Sequence, residues 1–238
     1  MDSLSHRYHA LLTEMDRQLL SSGRPARDAG LLAVSKTHSV DRIEELYREG
    51  HRDFGENYAQ ELEEKAKELH RRNCHEIRWH FIGHLQTNKV KRVAPWLFAI
   101  HSLDSLKLAQ ELVKRRKDTS NLTPLRVFLE VNIGAEASKS GLRPQEALLL
   151  AEQLAGTPGL APPLQWEGLM CIPAPGSADE ARASFRSLRQ LASQLPPSWN
   201  RHLSMGMSGD FAEALQEGSH WVRVGTALFG ARPSRSPL

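Results

Sequence analysis

The sequence has few cysteines, few aromatic residues and no long apolar run. Its two cysteines, Cys74 and Cys171, lie far apart, which argues against a disulfide framework and fits a reducing compartment. No apolar stretch approaches the roughly 20 residues of a membrane-spanning helix, and the N-terminus lacks the apolar segment of a signal peptide. We therefore expect a cytoplasmic protein with no membrane partner.

The sequence also lacks a strong excess of one charge. It contains 31 Lys and Arg residues against 28 Asp and Glu residues, a formal net charge of +3. The densest basic patch is Lys114-Arg115-Arg116-Lys117, at the predicted end of a helix, where cations suit the helix dipole. Nucleic-acid binders concentrate basic residues and interleave them with aromatic ones, but aromatic residues make up only 6% of this chain. We expect no nucleic-acid partner.

What the sequence does contain is a regular alternation of strand-like and helix-like segments. Because parallel strands require crossover helices, this alternation predicts an α/β fold, and eight units favour a closed (β/α)8 TIM barrel over an open sheet. An extra N-terminal helix is predicted to complete the outer ring, since few residues follow the eighth strand. We predict one domain over residues 1–238. The predicted strands are 31–36, 51–57, 77–83, 96–101, 125–131, 166–172, 201–205 and 221–226.

The first predicted strand ends at a lysine, Lys36. Lysine is unfavourable inside a buried strand, because its ammonium group must be desolvated or paired. At the carboxyl end of a barrel strand, partial burial would lower its pKa and make the neutral amine available as a nucleophile. The alternative is a side chain that extends its charged end into solvent.

Small residues follow the last two predicted strands, in the segment 204–209 and at Gly225 and Thr226. Barrels often bind phosphate at these two loops, where small residues let backbone N–H groups approach an anion. A helix starting near Ser208 would direct its first amides to the same place. The alternative is that these residues only form tight turns. Together with Lys36, the loops predict a phosphorylated aldehyde held through an imine bond.

Arg223 lies two residues before Gly225, so the two residues share one face of the eighth strand. If that face points into the barrel, the guanidinium is buried near the ligand and must donate to an acceptor. A pyridine nitrogen is such an acceptor.

Five separated motifs resemble the pyridoxal 5′-phosphate (PLP) homeostasis proteins, which are single-domain barrel relatives of alanine racemase. The resemblance covers nearly the whole chain, with the motifs in the same order. The motifs are Ala33-Val34-Ser35-Lys36-Thr37, Phe54-Gly55-Glu56-Asn57-Tyr58, Trp79-His80-Phe81-Ile82-Gly83-His84-Leu85-Gln86-Thr87-Asn88-Lys89, Ser204-Met205-Gly206-Met207-Ser208 and Arg223-Val224-Gly225-Thr226.

The resemblance implies that Lys36 holds PLP as a Schiff base. It also implies that Ser204, Gly225 and Thr226 bind the phosphate group of the cofactor. The implied function is a carrier and regulator of PLP that stores the cofactor, limits free aldehyde and supplies apoenzymes. The implied protein is a monomer without robust catalysis and without catalytic or metal-binding residues.

The resemblance further places Asn57 near the cofactor ring and Arg223 at the pyridine nitrogen. An arginine stays protonated and donates to an unprotonated ring nitrogen, which weakens PLP as an electron sink. Slow carbanion chemistry is therefore expected.

Two other interpretations remain open from the sequence. The first is a PLP-dependent amino-acid racemase or related enzyme, with His80, His84 or His101 as a second base. No tyrosine, whether Tyr8, Tyr47 or Tyr58, lies where a barrel racemase of this type has its opposing tyrosine. The second is a metal site, whose ligands would be Cys74, His75, His80 and His84.

Overall fold

A computed structural model describes residues 3–117, 123–134 and 140–230, and in these residues eight parallel strands form a closed barrel in chain order. The last strand pairs with the first through Leu31↔Val222 and Leu32↔Arg223, and this pairing closes the barrel. The predicted α/β barrel is therefore confirmed. The strands are β1 Gly30–Val34, β2 Asp53–Glu56, β3 Arg78–Phe81, β4 Leu97–Leu103, β5 Leu125–Glu130, β6 Leu164–Met170, β7 His202–Ser204 and β8 Trp221–Val224.

Helices connect successive strands and form the outer ring of the barrel. No helix in the described residues is both long enough and apolar enough to cross a membrane. A 3-10 turn, Thr87–Lys89, precedes the short helix Val90–Val93. The helices are α1 Leu4–Ser21, α2 Val40–Arg48, α3 Ala59–Arg71, α4 Val90–Val93, α5 Leu106–Arg116, α6 Pro144–Gly156, α7 Ala178–Ala192, α8 Phe211–Gln216 and α9 Thr226–Phe229.

Helix α1 is the predicted extra N-terminal helix. The hydroxyl oxygen of Ser3 caps it by accepting a hydrogen bond from the N–H of His6 at 3.1 Å. Its buried face packs against α2, α8 and α9. Because α9 has only four residues, α1 covers the part of the outer ring that α9 leaves open, as the sequence predicted.

Within the described residues, the buried apolar side chains form two separate groups, one on each side of the barrel wall. The larger group lies between the strands and the helices and includes Val222 and Val224. A small group of Leu32, Val34 and Ile82 lies apart from it, and Trp221 packs against that group. Arg223 pairs in register with Leu32 and alternates with the two valines, so its side chain lies inside the barrel.

The last helix before β8 begins later than the sequence predicted. Residues 208–210 form a turn, and α8 starts at Phe211 after the N-cap residue Asp210. The carboxylate of Asp210 accepts a hydrogen bond from the N–H of Met207 at 2.6 Å, which closes the turn ahead of the helix. The predicted start near Ser208 was therefore wrong by three residues. The segments 1–2, 118–122, 135–139 and 231–238 of the predicted domain lie outside the described residues.

Candidate functional site

A cavity of about 260 Å³ opens at the carboxyl ends of the strands. Its size suits a ligand smaller than a typical drug molecule. Its apolar walls come from Val34, Ile82, Ile172 and Met207, and Ser208 and Gly209 form part of its edge. Five of the six predicted site residues line it, namely Lys36, Asn57, Arg223, Gly225 and Thr226. A larger groove of about 610 Å³ beside His84 and Asp104 contains none of the six.

Lys36 lies in the turn between β1 and α2, with ordered backbone contacts on both sides. The N–H of Ser35 donates to the carbonyl of Gly55 at 3.1 Å, and the N–H of Thr37 donates to the carboxylate of Glu61 at 2.6 Å. Thr37 adopts a φ of +67°, a left-handed conformation that is unfavourable for a β-branched residue. The surrounding contacts therefore hold a strained turn in which Lys36 faces the cavity.

A buried charged cluster supports this turn from behind. Glu56, at the end of β2, is fully buried, and one of its carboxylate oxygens accepts hydrogen bonds from the Ser35 hydroxyl and the Lys65 ammonium, both at 2.7 Å. The same ammonium contacts Glu61 at 2.7 Å. Burial raises the pKa of Glu56 to about 7, although the charge of Lys65 acts in the opposite direction.

Sequence reasoning missed Lys65 and Glu61 as contributors to the site. The only signal was the position of Lys65 on the apolar face of α3, beside Leu62 and Ala66 in the helical repeat. A lysine on a buried face requires an anionic partner, but the spacing alone could not identify Glu56 as that partner.

The Arg223 guanidinium is buried inside the barrel and lines the cavity. Its Nη1 donates to the Ser204 hydroxyl at 3.0 Å, and its Nη2 donates to the carbonyl of Cys171 at 2.9 Å. Burial lowers the pKa of Arg223 below its ordinary value, because the charged form is desolvated. An arginine has five N–H donors, so these two acceptors leave further donors for a ligand.

Ser204 is fully buried and is the one predicted site residue outside the cavity lining. Its hydroxyl lies between Arg223 and His101, with 2.8 Å to the Nδ1 of His101. The structure therefore places Ser204 behind Arg223, and its contact with a phosphate stays a prediction. The same loop contributes Met207, Ser208 and Gly209 to the lining, and all three lie in the predicted segment 204–209 but were not among the predicted site residues.

The side-chain oxygen of Asn57 is a buried acceptor that has no hydrogen-bond partner among the described residues. A buried polar atom without a partner costs about 1–3 kcal/mol, so this oxygen is suited to accept a hydrogen bond from a ligand. Its backbone is tightly packed, because a Cβ added at Gly83 would lie 2.3 Å from the Asn57 carbonyl oxygen.

The loops after β7 and β8 meet at the edge of the cavity. The hydroxyl of Ser208 accepts a hydrogen bond from the N–H of Ala227 at 3.3 Å, which connects the two loops. Gly225 approaches β1 closely, since a Cβ there would lie 3.3 Å from the carbonyl oxygen of Val34. Thr226 follows as the first residue of α9. The two predicted loops are thus neighbours, beside the Lys36 turn.

None of the three candidate second bases lines the cavity. His80 and His101 are fully buried in the barrel, 2.9 Å apart between Nδ1 and Nε2, and His84 lies outside it, 3.4 Å from Asp104. The residues of the described segments contain no group of three or more His, Cys, Asp or Glu side chains arranged to bind a metal ion.

Comparisons with known proteins show the family of this chain. The family model for the alanine racemase N-terminal domain matches residues 15–233. A pyridoxal phosphate homeostasis protein of Pseudomonas aeruginosa is 44% identical over 218 residues, which is 91% of this chain and 90% of that protein. One from Escherichia coli is 37% identical over 237 residues, 98% of each chain.

The fold is also shared with a solved structure that contains the cofactor. The structure of PipY from Synechococcus elongatus with PLP bound superposes with a TM-score of 0.77 at 33% identity, covering 96% of this chain and all of that chain. The chain therefore belongs to the alanine racemase N-terminal domain family and, within it, to the pyridoxal phosphate homeostasis proteins.

Proposed function

We propose that this protein is a PLP carrier and regulator that binds the cofactor in the cavity beside Lys36 and supplies it to apoenzymes. One observation carries the proposal. The Lys36 side chain, the Arg223 guanidinium and the loops after β7 and β8 all line the same cavity. The relatives named for PLP homeostasis and the PLP-containing PipY structure support it.

The residues of the cavity fit the chemical groups of PLP. Lys36 supplies a primary amine, which can condense with the cofactor aldehyde and release one water molecule. Arg223 supplies a donor for the pyridine nitrogen, and the Asn57 oxygen is an unpartnered acceptor for a polar group of the ring. Gly225 and Thr226, with Ser208 in the facing loop, form the phosphate-binding edge.

The same residues favour storage over turnover. When bound, PLP acts as an electron sink most effectively if its ring nitrogen is protonated, and Arg223 can only donate to that nitrogen. Among the described residues that line the cavity, the ionisable side chains are those of Lys36 and Arg223. A racemase requires a second base that faces the opposite side of the substrate, and this lining provides none.

The first experiment measures the visible spectrum of the purified protein with added PLP, followed by borohydride reduction and peptide mass mapping. We expect a visible band from bound cofactor and a pyridoxyl mass on the peptide that contains Lys36. Lys36→Ala should bind PLP at least about tenfold more weakly, because the covalent bond is lost. Lys67→Ala, an exposed lysine on α3, is the matched control. Absence of a band at saturating PLP would refute the proposal.

Delivery of the cofactor requires a separate test. The PLP-loaded protein is mixed with a PLP-dependent apoenzyme, either in one chamber or across a dialysis membrane that passes only small molecules. Faster recovery of enzyme activity in the single chamber would support direct transfer, whereas equal rates would indicate release into solution. Sedimentation at several concentrations tests the proposed monomer, whose mass is 26.7 kDa. Cell fractionation tests the proposed cytoplasmic location.

The alternative function, amino-acid racemisation, is tested with the same preparation. The loaded protein is incubated with several L-amino acids, and the D-isomers are measured against a control that contains the same concentration of free PLP. We expect no excess over the control. Turnover clearly above that of free PLP would favour the enzyme and contradict the carrier.

A further inference from the structure

A continuous chain of hydrogen bonds crosses the barrel interior from the cavity to the opposite end. Arg223 Nη1 lies 3.0 Å from the Ser204 hydroxyl, which lies 2.8 Å from His101 Nδ1. His101 Nε2 lies 2.9 Å from His80 Nδ1. His80 Nε2 lies 3.0 Å from a carboxylate oxygen of Asp53, the first residue of β2. Five side chains from five strands or strand ends thus form one line.

Both ends of this line have a fixed polarity. Arg223 can only donate, because a guanidinium has no acceptor. At the other end, Asp53 also accepts two hydrogen bonds from Arg78, at 2.7 and 2.5 Å. Burial acts to raise the pKa of Asp53, but the hydrogen bonds from His80 and Arg78 hold it well below its usual range. Asp53 is therefore an ionised acceptor.

With both histidines neutral, the polarity of the ends determines every bond between them. Asp53 accepts from the Nε2–H of His80, so the Nδ1 of a neutral His80 accepts from the Nε2–H of His101. The Nδ1 of a neutral His101 then accepts the hydroxyl proton of Ser204, whose oxygen accepts from Arg223. Every donor points from the cavity toward Asp53, and both histidines are neutral with the proton on Nε2.

The surroundings of the two histidines agree with this assignment. His80 faces Asp53, His101 and the two cations Arg78 and Arg126, and His101 faces His80 and Arg223. Both imidazoles are fully buried, and burial lowers the pKa of each. Because both rings are neutral, only one pattern of protons satisfies all of the bonds between Arg223 and Asp53.

We propose that His101 and His80 are positioning residues for Arg223, acting through Ser204. Because the Ser204 hydroxyl donates its proton to His101, its oxygen is left to accept a hydrogen bond from Arg223. Arg223 is then held in place with its remaining donors directed to the cavity. This proposal rests on PLP binding in that cavity, and it assigns Ser204 to the support of Arg223.

Nitrogen NMR of the protein without PLP tests the direction of the chain independently of the cofactor. With ¹⁵N-labelled histidine, long-range proton–nitrogen spectra distinguish the two neutral tautomers and the charged form. We expect His80 and His101 to remain neutral with the proton on Nε2 between about pH 6 and pH 8. A proton on Nδ1 of either ring, or a charged ring at pH 7, would overturn the proposed direction.

The positioning role is tested with His101→Phe, which keeps a ring beside Phe128 but removes both nitrogens. We expect PLP to bind about tenfold more weakly, the loss expected when one hydrogen bond to a charged group is weakened, and the spectrum of bound PLP to change. The control is His202→Phe, at a position two residues before Ser204 in β7. The His202 ring contacts Glu167 at 2.6 Å and takes no part in the hydrogen-bond chain from Arg223 to Asp53.

Unfolding midpoints are measured for both variants. Weaker PLP binding in His101→Phe alone supports positioning, whereas equal losses in both variants, or unchanged binding, would overturn it. If His101→Phe does not fold, Ser204→Ala breaks the same chain at a smaller side chain. If the unsubstituted protein itself fails to bind PLP, the proposed function fails, and the NMR result still decides the direction of the chain.

Discussion

The ammonium nitrogen of Lys65 lies 2.7 Å from the carbonyl oxygen of Ser35, the residue that precedes Lys36. The same nitrogen contacts Glu56 and Glu61, and Glu61 accepts the N–H of Thr37, the residue that follows Lys36. A single buried cation therefore organises the backbone on both sides of the lysine that faces the cavity. This relationship explains how a strained turn keeps one conformation.

Replacing Lys65 by methionine should destabilise the protein and weaken PLP binding. The variant leaves Glu56 buried without its cation, and breaking a buried ion pair costs about 3 kcal/mol. Lys67→Met is the matched control on the same helix, because its pair with Glu63 is exposed and contributes at most about 1 kcal/mol. Urea unfolding and PLP titration measure both effects. Equal unfolding free energies and equal PLP affinities of the two variants would show that the cluster of Lys65, Glu56 and Glu61 does not support the site.

Glu56 should make the protein less stable as the pH rises from 4.5 to about 7. Its pKa is raised in the folded state from an ordinary value of 4.5, so its contribution is complete below pH 4.5 and is lost toward pH 7. The full contribution is about 3 kcal/mol. Glu56→Gln, which resembles the protonated acid, should flatten the curve of unfolding free energy against pH in this window. An unchanged slope would contradict the raised pKa.

His51 should have the opposite dependence on pH. Burial lowers its pKa from 6.5 to about 4, so the neutral ring stabilises the folded state above pH 6.5, and that contribution is lost as the pH falls toward 4. The ring contacts the carbonyl of Asp53 at 2.8 Å and the hydroxyl of Tyr8 at 3.4 Å. His51→Gln can keep both hydrogen bonds without titrating. Its unfolding free energy should therefore fall less steeply between pH 6.5 and 4 than that of the unsubstituted protein, as measured by chemical denaturation.

Two glycines of the loop after β7 should respond differently to alanine. Gly206 has a φ of +94°, and a Cβ there would lie 2.5 Å from the Cβ of Ala214 and 3.1 Å from the Cα of Phe211. Gly206→Ala should therefore cost about 2 kcal/mol of unfolding free energy. A Cβ at Gly209 meets no atom within 4 Å, so Gly209→Ala should change stability by less than about 0.5 kcal/mol. Thermal unfolding of the pair checks the prediction, and similar midpoints would refute it.

Much of the fold and part of the site could be predicted because they depend on local periodicity. Alternation of apolar strands with amphipathic helices led to the closed barrel, and the two-residue repeat of β8 put Arg223 on the same face as Gly225. That this face points into the barrel follows from the register of Arg223 with Leu32 in the structure. Lys36 could be identified because a charged residue at the end of an apolar strand is locally conspicuous. The start of α8 was missed because the Asp210 carboxylate bonds backward to Met207 and closes a turn first.

The sequence by itself determined the eight-unit barrel, the strand end that carries Lys36 and the face of β8 that carries Arg223, since each follows from the spacing of neighbouring residues. Only the tertiary structure decided that Lys65 supports the Lys36 turn and that Ser204 faces His101 and Arg223. It also decided that His80 bonds to His101 rather than facing the cavity. These contacts join residues from separate strands and helices, and closure of the barrel determines which side chains meet inside it.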